Sequence, residues 1–476
     1  MMRRVLVFGW LLLATHAFAA GHIVIINFDP ANTGLNDRTP VAPQPGNPAT
    51  TLGEQRMNVF RAAAERWENA LDISVDIRVA ANFMGIAGCT ATDGVLGQAT
   101  AIRWIDDFPG APRGGVWYPS ALANQFAHTD LLPDTDDIYM QFNALVDNRT
   151  CLGDANWYYG LDGQHGKDID LYLVVLHELA HGLGLTGAAT APAFRDDLPS
   201  VFDLHTLDVA TGLRWDQLSP DQRVTSIVNT GNLAWDGEHV RANAPRVLQW
   251  RTTLTVTAPA DVARDYDIGT SSFGTPANRG NVAGTIVPAL DAENADGPLA
   301  TDGCSAFVNA GEVAGNLALV DRGTCPFTTK AANAQAAGAA ALIVVDNRRD
   351  TCTPPSLSAA GTSGDAIRIP VISLAPKDAD ALRAQLADHA QVTAMLHVDP
   401  TQLAGATRNG DVRLYAPCSL QPTSSVHHWD TAVSPNLLME PSINTDLLHG
   451  LDLTLDQLLD EGWSLPPRTG RPVLRR

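Results

Sequence analysis

The chain has 476 residues, 45% of them hydrophobic and 18% charged, with a net charge of −20. That length predicts more than one domain, and the apolar content fits packed globular domains rather than disorder. The acidic balance argues against a nucleic-acid partner, which needs a basic stripe, and against an anionic membrane surface.

The N-terminus reads as an export signal. Arg3 and Arg4 precede an apolar run, Val5 to Ala14, and Ala17-Phe18-Ala19 supplies a small-residue cleavage site. The run is too short to span a bilayer, and no other segment is apolar over the necessary length. Residues 1–19 are therefore expected to be a signal peptide, and the protein to be secreted or periplasmic with no membrane span. In that setting the six cysteines default to disulfides. Sequence order suggests Cys89–Cys151, Cys304–Cys325 and Cys352–Cys418, although sequence alone leaves the connectivity open. None has C-x-x-C spacing, so all are assigned to structure.

After the signal, His22 to Phe28 reads as a buried strand, and residues 29–50, rich in Pro, Asn, Asp and Gly, as loop. Thr51 to Leu71 places Val59, Ala63, Trp67 and Leu71 at helical spacing. Asp72 to Val79 alternates as a half-buried strand, and Asp137 to Asn143 reads as another. A Gly- and Asp-rich loop, Trp157 to Asp168, follows, with His165 inside it as a structural or substrate-contacting residue. Asp168 or Asp170 is placed to cap the next helix.

That helix, Leu171 to Leu185, carries His-Glu-Leu-Ala-His at 177–181. A helix advances about 100° per residue, so His177 and His181 share one face and Glu178 can reach a water on the same metal. Two neutral imidazoles can hold Zn²⁺. Burying His, Glu and His together without a metal would carry a large desolvation cost. Gly182 and Gly184 are suited to ending the helix and turning the chain. A catalytic zinc site takes three protein ligands, so a third must lie elsewhere.

Residues 200–250 read as mixed and largely helical, with two short pieces over Trp215 to Arg223. Residues 254–400 turn to Ala, Gly, Val and Thr with few aromatics. Leu317 to Asp346 reads as a strand, a Gly-Thr turn, an Ala-rich helix and a second apolar strand, a β-α-β unit. Its run Val320-Asp-Arg-Gly-Thr-Cys-Pro-Phe327 resembles the protease-associated (PA) domain. That resemblance implies a non-catalytic lid or access module of secreted proteases. Asp321 and Arg322 are then a structural salt bridge or turn rather than catalytic groups.

Metzincins extend the zinc signature as H-E-x-x-H-x-x-G-x-x-H. Here Gly184 holds the glycine position, but Gly187 stands where the third histidine belongs. The third ligand is absent, is a nearby acidic residue such as Asp203 or Asp208, or has been displaced by an insertion. The C-terminal segment favours displacement: it contains His427-His428-Trp429-Asp430 and then Leu438-Met439-Glu440-Pro441. This resembles leishmanolysin, a metzincin whose third histidine follows an inserted segment and precedes a Met-turn.

The resemblance implies His428 as third zinc ligand, with His427 as competitor, Met439 beneath the metal, and Leu453 to Trp463 as a closing helix. It also implies an α+β, metzincin-like two-lobed protease domain interrupted by an α/β PA domain. The expected divisions are residues 20–250 for the N-terminal lobe and zinc helix, 251–405 for the insert and 406–476 for the C-terminal lobe. One Zn²⁺ is expected on His177, His181 and His428, with Glu178 as general base. Ca²⁺ is left open as a second ion, although no motif indicates it. Glu238 and His239 are assigned to the surface. A protein or peptide substrate is expected to run antiparallel to an edge strand, Asp137 to Asn143. The rival from another class is an exported binding or adhesion protein with a vestigial zinc site; retention of Glu178 beside the histidines speaks against it.

Overall fold

The computed structural model describes residues 21–467, apart from 91–93, 149, 154, 188–192, 296, 348–351, 358–363 and 444–446. The segment expected to be an export signal, residues 1–19, lies outside the described residues. Among the described residues, no helix is long and apolar enough to cross a membrane.

The N-terminal part is built on a four-stranded sheet of β1 (Ile23–Asn27), β2 (Ile77–Met84), β3 (Gly97–Ala101) and β4 (Ile138–Asn143). Their spatial order is β1-β2-β4-β3. β1 runs parallel to β2 with Ile23 opposite Ile77, and β2 runs parallel to β4 with Val79 opposite Ile138. β3 pairs antiparallel with β4, Ala101 opposite Ile138. Helix α1 (Leu52–Glu68) starts at Thr51, whose side chain accepts from Glu54 N, and buries Val59, Ala63 and Trp67. Trp67 Nε1 donates to Leu176 O at 3.2 Å, tying α1 to helix α3, described below.

Two expectations need correction here. The strand expected over Asp72 to Val79 begins at Ile77, because the residues before it are held by other partners. Asp72 N donates to Ser464 O at 2.8 Å, and Ser74 N and Val75 N donate to Gln125 Oε1 at 2.9 and 3.1 Å. Gln125 lies on helix α2 (Ser120–Ala127). The second correction concerns the edge strand. Residues Asp137 to Asn143 supply β4, which is paired on both sides, and the sheet edge is β3 instead.

Helix α3 (Leu171–Leu183) packs on α1 and on this sheet. Residues 200–250 are less helical than their composition suggests. They form strands β5 (Thr206–Asp208), β6 (Leu213–Arg214) and β7 (Leu233–Trp235), with helices α4 (Pro220–Ser226) and α5 (Glu238–Val247).

The chain then enters an eight-stranded sheet. Its strands are β8 (Trp250–Ala258), β9 (Arg264–Tyr266), β10 (Gly269–Thr270), β11 (Val282–Pro288), β12 (Leu317–Asp321), β13 (Ala341–Val345), β14 (Val371–Leu374) and β15 (Thr393–Leu403). The spatial order is β9-β8-β15-β11-β12-β13-β14-β10, and β11 to β14 run parallel. Helices α6 (Ala310–Val313), α7 (Phe327–Ala336) and α8 (Pro376–Ala387) complete this part. The β-α-β unit read over Leu317 to Asp346 is present as β12-α7-β13. Strand β13 is buried throughout, as a parallel strand covered on both faces must be.

Strand β8 enters this sheet and β15 leaves it side by side, with Leu254 opposite Leu396. The chain then returns to the first part: β16 (Val412–Arg413) pairs with β7, completing a small sheet in the order β6-β5-β7-β16. Helix α9 (Asp452–Glu461) packs on α5 and α3. One hydrophobic core joins Leu176 and Leu179 of α3 to Trp429, Leu438, Met439 and Leu458. Separate apolar clusters fill the eight-stranded sheet. The disulfides are Cys89–Cys151, Cys304–Cys325 and Cys352–Cys418, the pairs suggested by sequence order.

Candidate metal centre

Helix α3 begins at Asp170, whose Oδ1 accepts from Tyr172 N at 3.0 Å while Oδ2 takes His449 Nε2 at 2.6 Å. Every residue of the helix is buried. It lies so close to β4 that a Cβ on Gly182 would sit 2.4 Å from Ile138 Cγ2, which no side chain tolerates. At Gly184 a Cβ would sit 2.1 Å from Glu461 Oε2. The two glycines of the motif thus have separate reasons: one admits the sheet and the other admits α9.

His428 arrives on a different part of the chain, about 250 residues later. Its carbonyl accepts from Tyr415 N at 2.8 Å, and Trp429 N donates to Met439 O at 2.7 Å. These bonds clamp the His428 segment between residues 414–415 and the turn that carries Met439. That turn is fixed in its own right, since Leu438 N donates to Asp452 Oδ2 at 2.6 Å.

His177, His181 and His428 converge. His428 Nε2 lies 3.2 Å from His177 Nε2 and 3.2 Å from His181 Nε2. All three rings are buried, and among the described residues they are the one group of three or more His, Cys, Asp or Glu side chains whose ligand atoms all lie within 4.8 Å of one another. The opposite ring nitrogen of each faces a backbone carbonyl: His177 Nδ1 to Leu438 O at 2.7 Å, His181 Nδ1 to Leu185 O at 2.7 Å, His428 Nδ1 to Ser424 O at 2.8 Å. A carbonyl only accepts, so each Nδ1 carries the proton and each Nε2 presents a lone pair. Three lone pairs pointed at one another repel unless a cation stands among them. Backbone carbonyls that fix the tautomer of a ligating histidine are the usual outer support of a metal site.

The electrostatics agree. Burial, with repulsion from His181, pulls His177 down to about 3. Burial likewise pulls His181 down to about 4, and burial and the other two imidazoles hold His428 well below its ordinary value. The rings are therefore neutral, the form that ligates. Burial pushes the Glu178 carboxyl up to about 8, and its Oε2 is a buried oxygen without a partner. A cation nearby favours the carboxylate of such a group, and a water gives the orphaned oxygen a donor. The donor set, its tautomers and the vacant carboxylate oxygen all fit Zn²⁺.

Other candidates lie apart from this group. His427 Nε2 accepts from Gly187 N at 3.0 Å and its ring packs edge-on against Phe202. It thus secures the backbone at the position where a contiguous signature would place its third histidine. Asp203 Oδ2 is taken by Ser200 N and Oγ at 2.7 and 2.6 Å, and Asp208 Oδ1 by Thr211 N and Oγ1 at 2.8 and 2.9 Å. His165 Nδ1 bonds Asp168 O at 2.6 Å on the cleft wall. Glu238 opens α5, and His239 bonds Asp460 at 3.0 Å. Asp321 pairs with Arg383, and Arg322 lies 3.6 Å from Asp346.

Sequence reasoning missed Gly97. It lies on edge strand β3, and a Cβ there would sit 2.9 Å from Glu178 Oε1 and 3.0 Å from its Cγ. A glycine inside a strand is the signal that could have found it, since it marks close approach by another group. The centre opens into a cleft of about 1400 Å³ whose walls include Gly97, Thr100, Tyr139, Ile227, Leu420 and Ile443.

Residues 281–382 match the family model described as the PA domain. Among curated proteins, the chain is 39% identical over 101 residues to signal peptide peptidase-like 2 of Arabidopsis thaliana, covering 20% of this chain and 17% of that one. It is 33% identical over 105 residues to vacuolar-sorting receptor 4 of Arabidopsis thaliana, covering 22% and 17%. The chain thus spans about a sixth of the length of these relatives. Among solved structures, a zinc aminopeptidase from Bacillus subtilis overlaps 34% of this chain and 36% of its own at 20% identity, with a TM-score of 0.23. A peptidase M28 precursor from Shewanella amazonensis SB2B overlaps 33% and 39% at 17% identity, with a TM-score of 0.22. Residues 281–382 are a PA domain, and His177, His181 and His428 lie outside it, two before and one after.

Proposed function

We propose that this chain is an exported, zinc-dependent endopeptidase of the leishmanolysin-like metzincin kind. On this reading residues 20–250 and 406–476 make the protease, residues 251–405 are an insert around the PA domain, and residues 1–19 are the export signal. The carrying observation is the meeting of three Nε2 lone pairs, each fixed by a carbonyl on Nδ1, beside a buried carboxylate oxygen without a partner.

His177, His181 and His428 would hold the ion. When bound there, Zn²⁺ would supply Lewis acidity for the scissile carbonyl and lower the pKa of a bound water. Glu178 takes a proton from the attacking water and hands it to the leaving amine, a general acid–base role. Gly97 leaves the room that lets the Glu178 carboxyl lie against β3. The side of β3 away from β4 has no strand partner among the described residues, so an extended peptide can add there antiparallel. Such a peptide would pass directly over Glu178.

The test is hydrolysis of a denatured protein by the purified mature chain, with metal analysis in parallel. We expect one bound zinc, loss of activity with a chelator and its return with zinc, and a Glu178→Ala variant that keeps zinc but not hydrolysis. Equal activity in Glu178→Ala and wild type would refute the mechanism. A wild-type protein that binds zinc and cleaves nothing would instead support a binding protein with a vestigial site.

A further inference from the structure

The PA domain contains a lysine with no exposed surface. Lys330, on α7, is 0% exposed. Its ammonium reaches Asp302 O at 2.5 Å, Cys304 Sγ at 3.4 Å and Cys325 Sγ at 3.3 Å. Those two sulfurs are bonded to each other. The carboxylates of Asp302, Asp291 and Asp321 attract the ammonium without a hydrogen bond to it, and that of Asp302 accepts instead from Cys304 N and Leu299 N, both at 3.1 Å. Space for the ammonium depends on Gly323, which has a left-handed φ of +52°. A Cβ there would sit 2.7 Å from Asp302 Cβ and 3.2 Å from Lys330 Nζ. Both cysteines are half-buried, so solvent reaches their neighbourhood although the lysine is sealed.

A buried ammonium is costly unless well partnered, and disulfide sulfur is a weak acceptor. A thiolate is a full negative charge, and a neighbouring lysine lowers the pKa of a cysteine. The surroundings of Lys330 therefore suit the reduced pair better than the oxidised one. We propose that Cys304, Cys325 and Lys330 form a thiol–disulfide exchange site whose reactant is a dithiol, either a small molecule or a pair of cysteines on another chain. One thiolate of the dithiol bonds to one Sγ. The S–S bond breaks, and its electron pair goes to the other Sγ, which leaves as a thiolate beside the Lys330 ammonium. The second thiolate of the dithiol then bonds to the first dithiol sulfur, the bond between that sulfur and Sγ breaks with its electron pair going to Sγ, and the dithiol closes into a disulfide as the second cysteine is released. The dithiol loses two electrons and the protein disulfide gains them; of the two dithiol protons, one stays on a cysteine and one goes to solvent. Lys330 keeps its proton throughout.

The experiment titrates the full chain with dithiothreitol and follows each disulfide by differential alkylation and mass spectrometry. Cys304–Cys325 should open before the other two. Lys330→Met should require a roughly tenfold higher ratio of reduced to oxidised dithiol, equivalent to about 30 mV. Lys330→Arg should retain the wild-type order. A separate arm with a thioredoxin-type protein dithiol distinguishes the two sources of reductant: reaction with dithiothreitol alone assigns a small-molecule partner, and faster reaction with the protein assigns another chain. The same midpoint in wild type and folded Lys330→Met would overturn the proposal. So would a wild-type Cys304–Cys325 bond that outlasts the others, a result that needs no variant to fold.

Discussion

The metal centre and the PA domain both bury charged and polar side chains, but they dispose of them differently. In the PA domain the charged residues of the sequence motif find opposite charges within the chain: Asp321 takes Arg383 and Thr301, and Arg322 lies 3.6 Å from Asp346, an ion pair although its Nη1 makes no hydrogen bond. At the centre, each histidine spends one nitrogen on the protein and turns the other toward two more of its kind, while Glu178 Oε2 has nothing. Buried polar atoms in folded proteins are nearly always paired. A cluster left jointly unpaired, and unpaired toward one point, is therefore a place where something else binds. A motif whose charges neutralise one another is architecture.

The contrast breaks most visibly at the third ligand. His428→Ala should reduce zinc from about one per chain to background and leave hydrolysis at the level of the chelated protein. His427→Ala removes an acceptor from Gly187 N and a ring from Phe202, so it should cost about 1–3 kcal/mol of stability yet retain zinc. Metal analysis of the two variants side by side separates the neighbours; zinc retained in His428→Ala and lost in His427→Ala would reverse the assignment.

Glu178→Gln comes next. It keeps the size of the side chain and the three imidazoles but removes the base, so zinc content should stay and kcat should fall by roughly 10²- to 10⁴-fold. A variant that lost its zinc as well would show that the carboxylate supports the ligands, and the two roles could no longer be told apart.

Gly97→Ala should act through the same carboxylate with a smaller effect. The added methyl would lie 2.9 Å from Glu178 Oε1, closer than carbon and oxygen normally come, so either the strand or the carboxyl must shift by a few tenths of an ångström. Misplacement on that scale lowers kcat by roughly 10- to 100-fold. Zinc content should not change, and KM should change less than kcat. An equal rise in KM with kcat preserved would place Gly97 in substrate binding alone.

Much of this was legible in the residues. The apolar run around His177 and His181 announced a buried helix, and Asp170 stood where an N-cap belongs. What the sequence could not show was which strand forms the edge of the sheet. Residues 138–143 alternate as a half-buried strand should, but alternation reports the two faces of a strand and not its two edges. Backbone pairing decides the edge, and every residue except proline brings the same backbone donor and acceptor to it. Strand β3 was invisible for a second reason: Gly-Gln-Ala-Thr-Ala has one β-branched residue and no aromatic, so nothing in it favours a strand over a loop. Its pairing with β4 makes it one. The third member of the histidine group was legible only through the resemblance that the Leu438-Met439-Glu440-Pro441 segment carries; two adjacent histidines in a loop carry no spacing that points to a helix 250 residues away, and the carbonyl of Ser424 that fixes the His428 ring is a product of the fold.

The smallest expected effect is on the other side of the comparison. Arg383→Ala removes the partner of Asp321, a pair with side chains 33% and 13% exposed, while Thr301 Oγ1 continues to donate to Asp321 at 2.5 Å. A partly exposed pair of this kind contributes about 0.5–1 kcal/mol, less at high salt. The PA domain should lose a little thermal stability, with kcat and KM on a short peptide unchanged, because no atom of the pair belongs to the cleft. Short peptides matter to the design, since they can reach the centre without crossing the insert. A large fall in kcat on such a peptide would mean that the PA domain helps hold the histidine centre in shape. The distinction between a site with atoms left open for a ligand and a pair of charges closed on each other would then fail where the two parts of the chain are joined, through β8 and β15 and the Cys352–Cys418 disulfide.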